Sequence, residues 1–264
     1  MLDVKRISKT FNPGTASEKT ALSGLSLHLD GGEFVTIIGS NGAGKSTLLN
    51  AVAGAFYVDE GRIELAGLDI TFQPEHRRSR VIGRLFQDPL KGTAPSMTIG
   101  ENLALAYLRS AKGNPFSRIS QKEKTLFREK LALLGMGLED RMDQPVGLLS
   151  GGQRQALTLL MATLVPPQLL LLDEHTAALD PKTAAKVLDT TEKIVQRDKL
   201  TTLMITHNMR DAIAHGNRLI MMYEGRIAID VAGEAKKKLT VEGLLEMFSK
   251  VSGSTEADDK LLLS

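Results

Sequence analysis

The sequence contains no cysteine. Disulfides and thiolate metal sites are therefore excluded, and the absence is compatible with a reducing compartment. The sequence also lacks a large excess of charge of either sign, because 33 lysine and arginine residues are balanced by 31 acidic residues, for a formal net charge of +2. A chain without a strong basic field is not expected to bind nucleic acid.

Long apolar stretches are missing as well. Residues 1–6 do not begin an apolar signal segment, so we expect no secretion signal. The most apolar stretch covers residues 156–172, but Pro166-Pro167 interrupts it. A membrane span needs about 20 mostly apolar residues. We predict instead a buried helix, a proline turn and a buried strand.

Strand and helix patterns alternate along the chain. Period-two spacing or β-rich runs predict strands at residues 25–29, 33–38, 61–67, 169–172 and 202–206. Helical spacing predicts helices at residues 99–109, 120–134, 182–197 and 208–214. Two apolar runs flank Glu224-Gly225, which predicts a hairpin. This order favours an α/β fold with a mostly parallel sheet, and the 42% of apolar residues can fill its core.

A phosphate-binding loop is predicted between a strand and a helix. The segment fits the pattern G-x-x-x-x-G-K-[ST] and consists of Gly39, Ser40, Asn41, Gly42, Ala43, Gly44, Lys45, Ser46 and Thr47. Glycines let the backbone N–H groups turn toward a polyphosphate, and the N-terminus of the following helix adds partial positive charge. Lys45 would contact the β- and γ-phosphates, and Ser46 would bind Mg²⁺.

A second helix start follows Leu149. Ser150 precedes Gln153 by three residues, which predicts a capping box. Gly151 and Gly152 leave the backbone N–H groups of the first turn uncovered, and such a helix end attracts anions. By itself this pattern is more typical of an ordinary helix cap.

The segment from Leu149 to Gln155 resembles the signature of ABC-type nucleotide-binding domains, and the resemblance extends from about Leu2 to Gly233. It implies a P-loop NTPase with a mostly parallel core sheet, an N-terminal antiparallel β region and a helical subdomain at roughly residues 90–165. We assign residues 1–233 to this domain. Residues 234–264 would form a C-terminal helical extension and a loose tail.

The resemblance also assigns the residues of hydrolysis. Asp173 would hold Mg²⁺ together with Ser46, and Glu174 would be the general base that orients water. Two carboxylates at the carboxyl end of a buried strand support this assignment, because such a position is costly unless a cation or ligand uses them. The family usually has proline after the glutamate, whereas this chain has His175. His175 could donate a hydrogen bond or simply tolerate the turn.

Four more residues match family positions. Gln87 resembles the glutamine of the Q-loop, which would sense Mg²⁺ and water, and His207 resembles the switch histidine at the γ-phosphate. Asp180 resembles the D-loop aspartate at a dimer seam. Phe11 lies where the family places an aromatic ring under adenine, although it could belong to the core.

The resemblance implies ATP and Mg²⁺ as cofactors and a head-to-tail dimer with a second copy of the chain. In each site the segment Ser150–Gln153 would come from the other copy. The work of hydrolysis would pass to an integral membrane permease through the region from Asp88 to Tyr107, and indirectly to a substrate-binding protein. The expected location is cytoplasmic, on the inner face of the cell membrane, and no nucleic acid is expected.

Two other functions remain open from the residues alone. A soluble ABC ATPase could act in assembly of another complex. The interval between Lys45 and Ser150 is too short for the long coiled coil of repair ATPases. A simple P-loop kinase is disfavoured by the signature and by His207.

A short resemblance around Asp173 to Asp180 favours import of a small solute such as an amino acid. The basic run at residues 76–80 could contact a partner or a lipid phosphate, but short charge runs usually indicate exposure, so we predict a solvated turn.

Overall fold

The computed structural model of the protein describes residues 1–108 and 119–252. Its strands, in chain order, are β1 (Leu2–Phe11), β2 (Lys19–Leu29), β3 (Phe34–Ile38), β4 (Glu60–Leu65), β5 (Leu68–Asp69), β6 (Ile82–Leu85), β7 (Leu169–Asp173), β8 (Thr201–Ile205), β9 (Arg218–Tyr223) and β10 (Arg226–Ala232). Its helices are α1 (Lys45–Ala53), α2 (Glu75–Arg78), α3 (Ile99–Leu108), α4 (Gln121–Ala132), α5 (Gly151–Thr163), α6 (Pro181–Asp198), α7 (Met209–Ala214), α8 (Gly233–Lys237) and α9 (Val241–Ser252). The loose tail predicted at the C-terminus lies outside the described residues.

The chain divides into two compact units. The first combines Met1–Arg78 with the chain from Lys199 onward, and the second is Ser79–Asp198. In the first unit, one antiparallel sheet has the order β2-β1-β4-β5. A mixed sheet has the neighbours β10-β9-β3-β8, in which β3 pairs in parallel with β8 and β9, and β10 is antiparallel to β9.

The second unit contains two paired parallel strands, and the chain that connects them forms helices. Strand β6 pairs with β7, and α3, α4 and α5 lie between them along the chain. The four leucines of β7 are completely buried. Burial of each leucine side chain contributes about 2 kcal/mol, which explains why this run forms a buried strand rather than a surface one. Both units together confirm the prediction of an α/β fold with a parallel core and an N-terminal antiparallel region.

Several local patterns are confirmed by the structure. In β2, Leu25, Leu27 and Leu29 are buried while the intervening Ser26 and His28 are exposed, as the alternation predicts. The predicted hairpin forms between β9 and β10, where Glu224 and Gly225 both have positive φ. The apolar stretch at residues 156–172 divides into the end of α5, a turn and β7. No helix within residues 1–108 and 119–252 combines the length and apolarity needed to cross a bilayer.

The interpretation of the basic run at residues 76–80 as a solvated turn is wrong for one residue. Arg78 ends the short helix α2 and is only 1% exposed. Its guanidinium group donates hydrogen bonds of 2.7 to 2.9 Å to four backbone carbonyls, those of Ala51, Val52, Thr71 and Gln73. Two of these acceptors belong to the last turn of α1, whose carbonyls lack partners within the helix. Arg78 therefore caps the helix that begins at Lys45.

Replacement of Arg78 by methionine should lower the free energy of unfolding by about 3 kcal/mol, because several buried carbonyls lose their donor at once. Urea unfolding of the full chain measures this loss. Arg77→Met is the matched control, since Arg77 is the exposed neighbour in the same helix. Equal unfolding midpoints for the two variants would contradict the capping role.

Candidate functional site

The loop between β3 and α1 has the backbone of an anion cradle. Gly39, Gly42 and Gly44 all have positive φ, at 147°, 86° and 99°. The Lys45 side chain is only 7% exposed, and its Nζ donates to the carbonyl oxygens of Gly39 at 2.6 Å and Ser40 at 3.1 Å. An ammonium group held inside a ring of backbone at a helix N-terminus is suited to polyphosphate.

The glycines of this loop are required by close backbone packing. A Cβ atom on Gly44 would lie 2.5 Å from the carbonyl oxygen of Ala21, and one on Gly39 would collide with the carbonyl of Met222. Contacts with the neighbouring strands β2 and β9 therefore hold the loop in place. The other loop residues differ in exposure: Ala43 is buried, Ser40 and Thr47 are half-buried, and Asn41 and Ser46 are exposed.

His207 lies at the same sheet edge as this loop. In the parallel pairing of β3 and β8, Ile37 faces Ile205. Gly39 and His207 each come two residues after these partners, so the two segments leave the sheet at the same level. Next to the exposed His207, the side chain of Asn208 caps α7 by accepting from the N–H groups of Arg210 and Asp211. Burial raises the pKa of Asp211, and the nearby His215 and His207 oppose this rise.

In the second unit, Gln87 and Glu174 likewise follow two parallel strands at the same level. In the parallel pairing of β6 and β7, Leu85 faces Leu172, and Gln87 and Glu174 each follow two residues later. Asp173 ends β7 half-buried, with its Oδ2 at 3.8 Å from a guanidinium nitrogen of Arg84. The structure thus brings Gln87, Asp173 and Glu174 to one edge of this strand pair.

Glu174 is held in an uncommon backbone conformation. Its φ is 46°, in the left-handed region that costs a non-glycine residue about 1 kcal/mol or more. The turn is closed by a hydrogen bond of 3.0 Å from the N–H of Ala177 to the carbonyl of Glu174. The next residue, His175, is only 2% exposed and its Nε2 lies 3.3 Å from the hydroxyl oxygen of Thr191.

The signature segment and the D-loop segment are neighbours within the second unit. The predicted capping box forms, because Ser150 accepts from the N–H of Gln153 and the Gln153 side chain accepts from the N–H of Ser150. A Cβ on Gly152 would collide with the methyl group of Thr183, in the first turn of α6. Asp180 precedes this helix and accepts from the N–H of Thr183 at 3.1 Å. Hydrogen bonds from Thr183 hold the pKa of Asp180 below its usual value.

Phe11 is half-buried at the end of β1. Its ring packs edge-to-face on Phe56 with centroids 5.3 Å apart, and the ammonium group of Lys9 lies 5.7 Å from its centroid. This position is compatible with a role in packing and with a role in stacking against adenine. The stacking role therefore stays a prediction.

Two residues at the site gave no signal in the sequence. Arg84 lies within β6, where its guanidinium group faces Asp173 and also covers the ring of Phe86 at 4.5 Å from the centroid. Thr191 lies in α6, sixteen residues after the histidine that it contacts. A lone arginine in a strand and a threonine in a helix have no motif, and only their partners reveal them.

Comparison with known proteins identifies the family. The family model described as ABC transporter matches residues 22–177, more than half of the chain. The tyrosine transport ATP-binding protein of Clostridioides difficile is 45% identical over 94% of this chain and 98% of its own length. The aliphatic sulfonates import ATP-binding protein SsuB 2 of Agrobacterium fabrum is 35% identical over 87% of this chain and 79% of its own.

A solved structure agrees with these relatives. The dimeric post-hydrolysis state of the ATP-binding cassette MJ0796, bound to ADP and Pi, has a TM-score of 0.76 and 27% identity, and the match covers 88% of this chain and 98% of that one. The chain belongs to the ABC transporter family. This confirms the sequence-based predictions of an ATP-binding cassette, of ATPase activity and of a transporter subunit, in preference to the assembly ATPase and the kinase.

Gly152→Ala should lower the melting temperature of the full chain, because its methyl group would clash with the side-chain methyl group of Thr183. Thr183→Ser removes the obstructing methyl group but keeps both the hydroxyl and the backbone N–H that bond Asp180. The double variant should therefore recover most of the lost stability in a thermal melt. If Thr183→Ser lowered stability further in the Gly152→Ala background instead of restoring it, the contact would not be the reason for this glycine.

Proposed function

We propose that this chain is the motor subunit of an importer that binds ATP with Mg²⁺ and hydrolyses it to drive uptake of a small solute through a separate membrane permease. The observation that carries the proposal is the cradle around Lys45. Its three positive-φ glycines and its buried ammonium group fit the β- and γ-phosphates of a nucleotide. An aromatic amino acid is the cargo class to test first, since the relative with 45% identity carries the name of a tyrosine transporter.

The chain's oxygen ligands fit Mg²⁺. The Ser46 hydroxyl, the Gln87 amide oxygen and the Asp173 carboxylate would hold the ion together with the nucleotide's own phosphates. Within the described residues no group of three or more histidine, aspartate or glutamate side chains could hold a metal. A set with one carboxylate suits Mg²⁺, which usually takes one or two carboxylates plus phosphate oxygens and water. When bound, the ion would neutralise part of the negative charge of the phosphates.

Hydrolysis then depends on a few side chains. Glu174 orients the attacking water and accepts its proton, and His207 contacts the γ-phosphate. Phe11 stacks against adenine. Phosphoryl transfer needs positioning and charge stabilisation more than covalent chemistry, so fixed backbone at each of these residues favours the reaction.

A second copy of the chain completes each site in a head-to-tail dimer. Residues Ser150–Gln153 of the other copy cover the γ-phosphate, and Asp180 lies at the seam between the copies. The helix start at Ser150 is suited to this contact, because its first-turn N–H groups carry partial positive charge and two of its residues are glycine. ATP closes the dimer, and loss of phosphate opens it. The related cassette MJ0796 was solved as a dimer.

The permease would bind the segment from Asp88 to Tyr107 in the second unit, near Pro95 to Ile99. Leu90 and Leu105 are exposed there, at 47% and 48%. A surface cavity of about 150 Å³ lies in the same unit, and its lining includes Arg84, Phe86, Asp88, Ala106 and Met161. Exposed apolar side chains and a surface cavity suit a partner's short helix. The chain would thus work at the cytoplasmic face of the membrane, and a substrate-binding protein would deliver the solute to the permease.

Glu174→Gln should reduce ATP turnover by a factor of roughly 100 or more, because a general base contributes about 10² to 10⁴ to the rate. Nucleotide binding should persist, since the amide has the same shape as the carboxylate. Phosphate release and equilibrium binding of a fluorescent ATP analogue measure the two effects. Glu129→Gln, an exposed residue of α4, is the control. Wild-type turnover in Glu174→Gln would make the assignment wrong.

The Glu174→Gln protein with ATP should also retain its permease during purification from detergent-solubilised membranes, because the closed dimer cannot proceed through hydrolysis. Mass spectrometry of the purified complex should identify a polytopic membrane protein. The Lys45→Ala protein, which cannot hold the phosphates, should recover less of it. Recovery of soluble partners alone, with an intact ATP-bound dimer, would favour the assembly ATPase.

A further inference from the structure

His175 is a buried polar side chain whose Nε2 atom has a defined partner. It follows Glu174 in the turn between β7 and α6, and its side chain is enclosed by protein. Its Nε2 atom lies 3.3 Å from the Thr191 hydroxyl oxygen on the third turn of α6. A buried imidazole is costly unless it is hydrogen-bonded, so this contact contributes to the stability of the turn.

The direction of this hydrogen bond can be derived from the hydroxyl proton. Thr191 Oγ1 lies 2.8 Å from the carbonyl oxygen of Val187, and a carbonyl can only accept. The single hydroxyl proton of Thr191 is therefore used there. The same oxygen must then accept from His175, so Nε2 of the imidazole carries a proton and donates.

Glu174 needs such support because its backbone is strained. A glutamate with φ of 46° is stable only where its surroundings hold it in place. On one side it is fixed by β7, which ends at Asp173. On the other side the next residue is tied through its ring to α6, a helix of 18 residues. A small rotation of this turn would move the carboxylate away from the position that water requires.

We propose that the His175–Thr191 hydrogen bond positions Glu174 for hydrolysis. His175 and Thr191 are positioning residues in this inference, since they act through the backbone of the turn. The inference rests on the proposed ATPase role of Glu174. It makes the orientation of the general base depend on one hydroxyl group of α6.

The first experiment needs no nucleotide. The chain has five histidines, so ¹⁵N-histidine labelling gives few signals. Long-range ¹H–¹⁵N correlation spectra of the full chain should contain one ring protonated at Nε2 that disappears in His175→Gln. Thr191→Val should shift that signal, and Thr190→Val should leave it unchanged. A His175 ring protonated only at Nδ1 would overturn the proposal.

The second experiment compares two adjacent threonines of α6. Thr190 is 7% exposed and Thr191 is 1% exposed, and each hydroxyl donates at 2.8 Å to the carbonyl four residues earlier. Valine at either position removes that bond, but only Thr191→Val also removes the acceptor of His175. Thr191→Val should lower kcat about fivefold, the value of one ordinary hydrogen bond, with KM for ATP unchanged. Thr190→Val should keep kcat.

Conservative variants separate positioning from folding. Thr191→Ser retains the hydroxyl and should restore kcat, and His175→Gln, which keeps an N–H donor, should be faster than His175→Leu. Equal kcat values for Thr191→Val and wild type, or equal losses at Thr190 and Thr191, would overturn the proposal. Wild-type turnover in Glu174→Gln would instead refute the proposed role of Glu174, so the two failures are distinguishable.

Discussion

Parallel backbone pairing is the constraint on which the candidate site depends. The register that sets Ile37 against Ile205 determines where the phosphate loop and His207 begin, and the register of Leu85 with Leu172 does the same for Gln87 and Glu174. Because parallel strands end on one edge, loops far apart in sequence start at the same level. The chemistry of each loop is therefore positioned by main-chain hydrogen bonds.

Close backbone approach is the second requirement of the site. Gly44 and Gly39 pack directly against carbonyl groups of neighbouring strands, and Gly152 packs against the side chain of Thr183. A side chain at any of these positions would push the loop or helix away from its neighbour. The glycines thus serve two purposes at once, since they uncover N–H groups for an anion and fix the loops on the fold beneath them.

Buried polar side chains connect these loops to the core. Arg78 joins the last turn of α1 to the chain around Thr71, and His175 joins the turn of Glu174 to α6. Arg78 departs from the expectation of its local sequence, because arginine in a basic run suggests exposure. For His175 the structure shows the hydrogen bond, which is one of the two alternatives that the sequence leaves open. Each stays buried because its donors find acceptors, which offsets the cost of removing it from water.

The sequence by itself determined the α/β alternation, the phosphate loop, the capping box of Ser150 and the hairpin at Glu224, because period, glycine spacing and capping are local properties. It also identified the candidate catalytic residues through family motifs. The tertiary structure alone decided the burial of Arg78, the partner of His175, the contact of Arg84 with Asp173 and the neighbour of Gly152. These depend on residues far away in the chain, and no local pattern encodes which groups meet once the backbone has packed.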